Sequence, residues 1–130
     1  MSNYILLAVN GTLMRGLELE HNLIKAGAAF LREDRTAPIY RLWSVNDIHP
    51  AMIRVPKTDD KAVSVALEVW KVPAAGLAQI LLGEPEGLSI GKVLLQNGET
   101  VLGVIAEPEL VKGQKEISTY GGWRAYLSTN

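Results

Sequence analysis

Cysteine is absent from these 130 residues, which excludes disulfides, thiolate zinc sites, iron–sulfur clusters and a cysteine nucleophile. Such a composition fits a reducing interior. Histidine is scarce: His21 and His49 lie far apart without a metal-ligand spacing, and both read as surface residues, one on a helix beside Glu18 and Glu20, one in a turn before Pro50. Neither sign of charge dominates, since 13 Lys+Arg face 14 Asp+Glu for a net charge of −1, and the basic residues occur singly. No nucleic-acid partner is expected. Met1-Ser2-Asn3-Tyr4 carries no basic residue, and the apolar run Ile5 to Val9 stops at Asn10-Gly11, too short for a signal core or a membrane span. The expectation is a cytoplasmic protein with no membrane partner. Gly-x-Ser-x-Gly, His-Glu-x-x-His and Walker-type motifs are missing as well, so serine-hydrolase, zinc-hydrolase and nucleoside-triphosphatase chemistry fall away.

What remains is a 48% hydrophobic chain of a size that buries about two-thirds of its unfolded surface, enough for one domain over 1–130. Turn residues cut it into short β segments with two helical stretches between them. Tyr4 to Val9 reads as a central strand buried on both faces. Leu17 to Ala26 has helical spacing and ends at Gly27; Pro73 opens a second helix that ends at Gly83. Further strands are expected at Ala28 to Arg35, Ile39 to Val45, Ala51 to Val55, Lys61 to Val72, Leu88 to Leu95 and Thr100 to Ala106. Asn97-Gly98 joins the last two as a hairpin. In Ile39 to Val45, burying Trp43 would bring Arg41 to the core side, where it needs a partner. The aromatic tail Tyr120 to Tyr126 should pack back onto the body. About seven strands and two helices define an α+β fold, a small mixed β-barrel with flanking short helices.

Three places carry residues suited to chemistry. Asn10 to Gly16 follows the first strand, and a glycine-punctuated loop there can turn backbone N–H groups onto an anion, with Thr12 adding a hydroxyl. Glu84 and Glu86 flank Pro85, and a carboxyl held partly out of water beside a pocket can keep its proton near neutral pH and work as general acid or base. Glu68, between Ala66 and Trp70, reads as buried, either as a paired structural carboxylate or as a site residue.

The loop Asn10-Gly11-Thr12-Leu13-Met14-Arg15-Gly16 resembles the Tyr-Gly-Thr/Ser-Leu-x-x-Gly signature of the γ-glutamyl cyclotransferase-like families. Phe30 to Trp43, Glu68 to Pro73, Leu88 to Val93 and above all Ile117 to Leu127 resemble, in order and spacing, the C-terminal domain of allophanate hydrolase, over essentially the whole chain. That resemblance implies a compact β-barrel flanked by helices with a pocket at its mouth. In the bifunctional hydrolase an amidase domain deaminates allophanate, and the C-terminal domain is associated with breakdown of the resulting N-carboxycarbamate. These 130 residues leave no room for an amidase. The family's loop histidine corresponds to Thr12 and the cyclotransferases' loop tyrosine to Asn10, so the chain combines two patterns. The cyclotransferase acid/base glutamate corresponds to Glu86, or to Glu84 with a small shift. By this resemblance the catalytic residue is Glu86, and Asn10, Gly11, Thr12, Leu13 and Glu68 are substrate-binding. The pocket then lies between Asn10 to Gly16 and Glu84 to Leu88, without metal or cofactor. The ligand is a small carboxylate-bearing amide or carbamate. The alternatives are a γ-glutamyl cyclotransferase and a non-catalytic assembly partner of a separate amidase; a homodimer stays open.

Overall fold

A computed structural model describes residues 3–129. Met1 and Ser2, read above as part of an N-terminus without a basic leader, lie outside the described residues. Eight strands and three short α-helices follow in the order β1 (Tyr4–Val9), α1 (Glu20–Lys25), β2 (Ala29–Arg35), β3 (Tyr40–Val45), β4 (His49–Arg54), β5 (Ala66–Pro73), α2 (Leu77–Leu82), β6 (Leu88–Leu94), β7 (Thr100–Ala106), β8 (Lys115–Glu116) and α3 (Trp123–Leu127). They form a five-stranded sheet, β2-β5-β1-β7-β6, and a three-stranded sheet, β4-β3-β8.

The first strand is central, as its unbroken apolar run predicts. β1 runs antiparallel to β5 from Tyr4–Pro73 to Val9–Glu68 and parallel to β7 at Leu7–Leu102 and Ala8–Gly103. Leu7, Val69 and Trp70 join Leu42 and Met52 of the smaller sheet in one buried core.

The expected closed barrel is not formed. The edge strands β2 and β6 meet through a single bridge, Thr36–Leu95, flanked by the Ala37 N–H donating to the Leu94 carbonyl and the Gln96 N–H donating to the Arg35 carbonyl. Ala37-Pro38 turns the chain away directly after β2 and the Asn97-Gly98 turn ends β6, so neither edge has length left for a ladder. Two sheets therefore enclose the core in place of a barrel.

Other departures have local causes. The first helix begins at Glu20 and not at Leu17, because the Leu19 N–H is committed to the Thr12 carbonyl at 2.9 Å and Gly16 turns with φ 78°. Strand β5 starts at Ala66, with only an isolated bridge, Tyr40–Val63, before it. Pro73 closes β5, and a 3₁₀ turn at Ala74–Gly76 leads into α2. The buried face of β3 is Tyr40, Leu42 and Ser44, so Trp43 and Arg41 share the outer face, where the Arg41 guanidinium lies 5.0 Å from the Trp43 ring centre. Arg41 does find partners, Glu116 and Asp59.

The tail packs back as expected. Trp123 and Tyr126 are 2% and 1% exposed. Among the described residues no helix is long and apolar enough to cross a membrane.

Candidate active site

The first loop leaves β1 at Val9 and touches both sheets, Asn10 reaching Val104 of β7 and Gly11 lying against Pro50 of β4. Asn10 is buried, and its side-chain amide donates to the Val104 carbonyl at 3.0 Å, tying the loop to β7. The Met14 N–H donates to the Gly11 carbonyl and the Leu19 N–H to the Thr12 carbonyl, closing a turn over Gly11 to Met14. The N–H groups of Gly11, Thr12 and Leu13 donate to no protein acceptor among the described residues. Three consecutive amides of this loop thus have no protein acceptor among the described residues, and amides of backbone turns in that state can hold anions.

Val9 to Leu13 wall a narrow cavity of about 10 Å³ together with His49, Pro50, Glu84, Leu88 and Val104. That is room for about one water molecule. Thr12 and His49 also line an adjoining vestibule of about 330 Å³, otherwise bounded by Glu18, Leu19, Ile48, Gly83 and Pro85. A polar recess behind a largely apolar mouth is the usual shape of a small-molecule site.

The carboxyl in the recess belongs to Glu84. Its N–H donates to the Leu81 carbonyl at the end of α2, which fixes the residue at that end before Pro85 redirects the chain. The Glu84 Oε1 is buried and has no hydrogen-bond partner among the described residues. Desolvation by burial pushes its pKa up to about 7, so at neutral pH the proton is easily given and taken. Glu86, two residues on, is exposed and lines neither the cavity nor the vestibule. Pro85 separates the two, and only the residue still anchored to α2 reaches the recess.

Glu68 lies elsewhere. It is 2% exposed and receives the Arg15 N–H at 3.0 Å, the Arg15 Nε at 3.1 Å, the Trp70 indole N–H at 3.1 Å and an Arg124 guanidinium N–H at 3.2 Å. Burial opposes its ionisation, but these four donors outweigh it and hold the carboxyl below its ordinary value. Glu68 borders a separate groove of about 450 Å³ walled by Glu33, Asp34, Arg35 and Tyr120 to Ala125. That groove is larger than the recess, but its carboxylates are claimed: Glu33 by Arg15, Asp34 by Arg32, Glu68 by Arg15 and Arg124. Glu68 is held ionised by its donors whereas Glu84 keeps an unpartnered, buried oxygen, so the recess is the stronger candidate for proton transfer.

His49 is the residue that sequence reasoning missed. Its place before Pro50 suggested an exposed turn, yet it is only 6% exposed and opens β4, paired with Val45. Asn46 and Asp47 both adopt left-handed conformations, φ 54° and 58°, and these tighten the β3–β4 hairpin so that the turn ends before His49. Asn46-Asp47, both of types that accept left-handed conformations in a hairpin turn, was the available signal. His21 is exposed, as read.

Gly11 fits only as glycine. A Cβ there would stand 2.6 Å from both Cδ and Cγ of Pro50, a rigid ring with no rotamer to yield. Gly11→Ala should therefore push the loop off β4 at a cost of about 1–3 kcal/mol. Chemical denaturation would show it as a lowered midpoint at unchanged slope; an unchanged midpoint would mean that the loop is free of Pro50.

The two-sheet scaffold with its short helices is a γ-glutamyl cyclotransferase-like α+β fold. An AIG2-like protein from Mus musculus shares this fold, with a TM-score of 0.60 at 18% identity over 84% of this chain and 83% of that one. Residues 5–128 match the allophanate hydrolase C-terminal domain, and the chain belongs to that family. It is 34% identical to the urea amidolyase of Saccharomyces cerevisiae across 97% of this chain, and spans about 7% of that protein's length. A uropathogenic E. coli-specific protein of known structure is 54% identical, with a TM-score of 0.93 and 97% of both chains covered.

Proposed function

We propose that the chain binds a small carboxylate-bearing amide or carbamate in the vestibule, with the ligand's polar end against the recess, and moves a proton on it. The observation that carries this reading is the buried, unpartnered Glu84 carboxyl sharing one cavity with three unclaimed loop amides. The Gly11, Thr12 and Leu13 N–H groups hold the ligand's carboxylate or carbonyl oxygen, and Glu84 exchanges a proton with its nitrogen. In this reading the role that the resemblance gave to Glu86 passes to Glu84, the shifted alternative, because Glu84 lines the recess and Glu86 does not. Asn10 and Gly11 place the loop, and Glu68 anchors its far end through Arg15.

A thermal-shift screen of small dicarboxylates, γ-glutamyl amides, carbamates and biuret-like compounds tests binding, because a ligand at 100 times its dissociation constant adds about 2.7 kcal/mol. For any substrate so found, Glu84→Gln should lower turnover by about 10²–10⁴ while the thermal shift survives, since shape is kept and the titrating proton lost. Unchanged turnover would refute Glu84 as proton carrier. Preference for the γ-glutamyl amides would mark the cyclotransferase branch.

A second reading, an assembly partner for a separate amidase, is favoured by one observation: this domain makes up about 7% of the urea amidolyase it matches. It predicts no ligand in the same screen.

A further inference from the structure

We propose that His49 is the second proton carrier of the recess, meeting the ligand through Nε2 across from Glu84. This rests on the ligand presenting its polar end to the recess, and it goes beyond that reading because nothing in the loop-and-glutamate pattern contains a residue on β4.

The geometry argues it in three steps. First, His49, like Thr12, lines both the inner cavity, with Glu84, and the vestibule. Second, its Nδ1 lies 3.0 Å from the Pro50 carbonyl oxygen. A carbonyl only accepts, so Nδ1 carries the hydrogen and the neutral ring keeps its lone pair on Nε2. Third, Nε2 has no hydrogen-bond partner among the described residues, on a side chain 6% exposed. One ring nitrogen is thus fixed by the backbone and the other is left for something the protein does not supply.

With the Glu84 carboxyl as donor and the His49 Nε2 lone pair as acceptor, both lining one cavity, the site can complete a proton balance. The carboxyl gives its proton to the ligand and becomes carboxylate; Nε2 takes one from the ligand and becomes imidazolium. One proton has entered and one has left, with no other reactant needed. The resulting opposite charges share one small cavity, which favours both. The other charged groups near His49 are few. Glu18 lies in the vestibule, Asp47 in the hairpin holds the Ser44 and Tyr126 hydroxyls, and Glu109, on the 3₁₀ turn packed against β4, pairs with Lys112. β7, also packed against β4, brings no titratable side chain.

Imidazole ¹⁵N NMR on the full chain decides the matter, because there are only two histidines and His21→Gln assigns them. His49 should show the Nδ1–H tautomer, its Nδ1 proton held by the Pro50 carbonyl. Malonamate, as a carboxylate-bearing amide probe, should shift the His49 Nε2 resonance alone. An Nε2–H tautomer, or malonamate that stabilises the protein without moving His49, would each overturn the proposal. The underlying reading fails differently: a ¹³C titration placing the Glu84 carboxyl in the ordinary carboxylate range removes Glu84 as carrier, whatever His49 does.

Discussion

Glu84→Gln should make the protein more stable, and only above the ordinary carboxylate range. Burial lifts the Glu84 pKa from 4.5 to about 7. Below pH 4 the carboxyl is neutral in both folded and unfolded chains and costs nothing by ionising. Between pH 4.5 and 7 the unfolded chain releases the proton that the folded one keeps, so folding becomes less favourable as pH rises; above 7 the whole cost is present. At 1.36 kcal/mol per pH unit, discounted for water entering from the vestibule, the cost is about 2–3 kcal/mol. Glutamine has the same shape and leaves a similarly unpartnered amide, so the variant should track the wild type near pH 4 and melt about 10 °C higher at pH 8. Glu68→Gln should behave in the opposite sense. Its carboxyl is held below its ordinary value by Arg15, Trp70 and Arg124, so it stabilises the fold above the unfolded-state pKa and loses that effect as pH falls. Removing the charge should then destabilise the protein at neutral pH and matter less in acid. Parallel melting curves for wild type and Glu84→Gln from pH 4 to 8 would show that Glu84 titrates as an ordinary carboxylate. A buried carboxyl that costs stability at neutral pH is the kind of group that the proposed proton-transfer role would explain.

The two glutamates also mark where sequence reading reached and where it stopped. Both were legible as unusual: Glu68 by its place between Ala66 and Trp70, Glu84 and Glu86 by flanking a proline near the end of a helix. Which of the pair faces the recess depends on where α2 ends in space, and a spacing in sequence does not carry that. The central strand, the turn at Asn97-Gly98 and the buried tail could be read because each is fixed within ten residues by an apolar run, a turn dipeptide or an aromatic cluster. The barrel could not, because closure depends on how two edge strands sixty residues apart meet, and here they share one bridge at Thr36–Leu95. The phase of β3 was missed for a related reason. Trp43 looked like the residue to bury, but stacking under the Arg41 guanidinium with Glu116 and Asp59 beside it satisfies both side chains on the outer face. His49 was hidden by its neighbour Pro50, since proline after histidine suggests a turn, whereas on the edge strand β4 a residue without an N–H leaves no donor unpaired.

Removing everything after Thr119 should unfold the protein. The deleted residues include Trp123 and Tyr126, both at most 2% exposed, and loss of such aromatics costs about 3–5 kcal/mol each. They also include the Gly121 carbonyl that accepts the Ala66 N–H at 2.9 Å at the start of β5, the Arg124 guanidinium on Glu68, and the Tyr126 hydroxyl on Asp47 at 2.6 Å. Against a total stability of about 5–15 kcal/mol, the two aromatics alone consume most of the margin. Single substitutions separate burial from hydrogen bonding. Trp123→Ala should lower the melting temperature by more than 10 °C, whereas Trp123→Phe should recover most of that loss, because the indole N–H has no acceptor among the described residues and only area is given up. Tyr126→Phe keeps the ring but drops the Asp47 bond, and should cost about 1–2 kcal/mol because the acceptor is charged. A truncated chain with an unchanged melting curve would show that the two sheets hold without the tail. A Trp123→Phe variant no better than Trp123→Ala would mean that the indole N–H, and not its area, anchors the C-terminus.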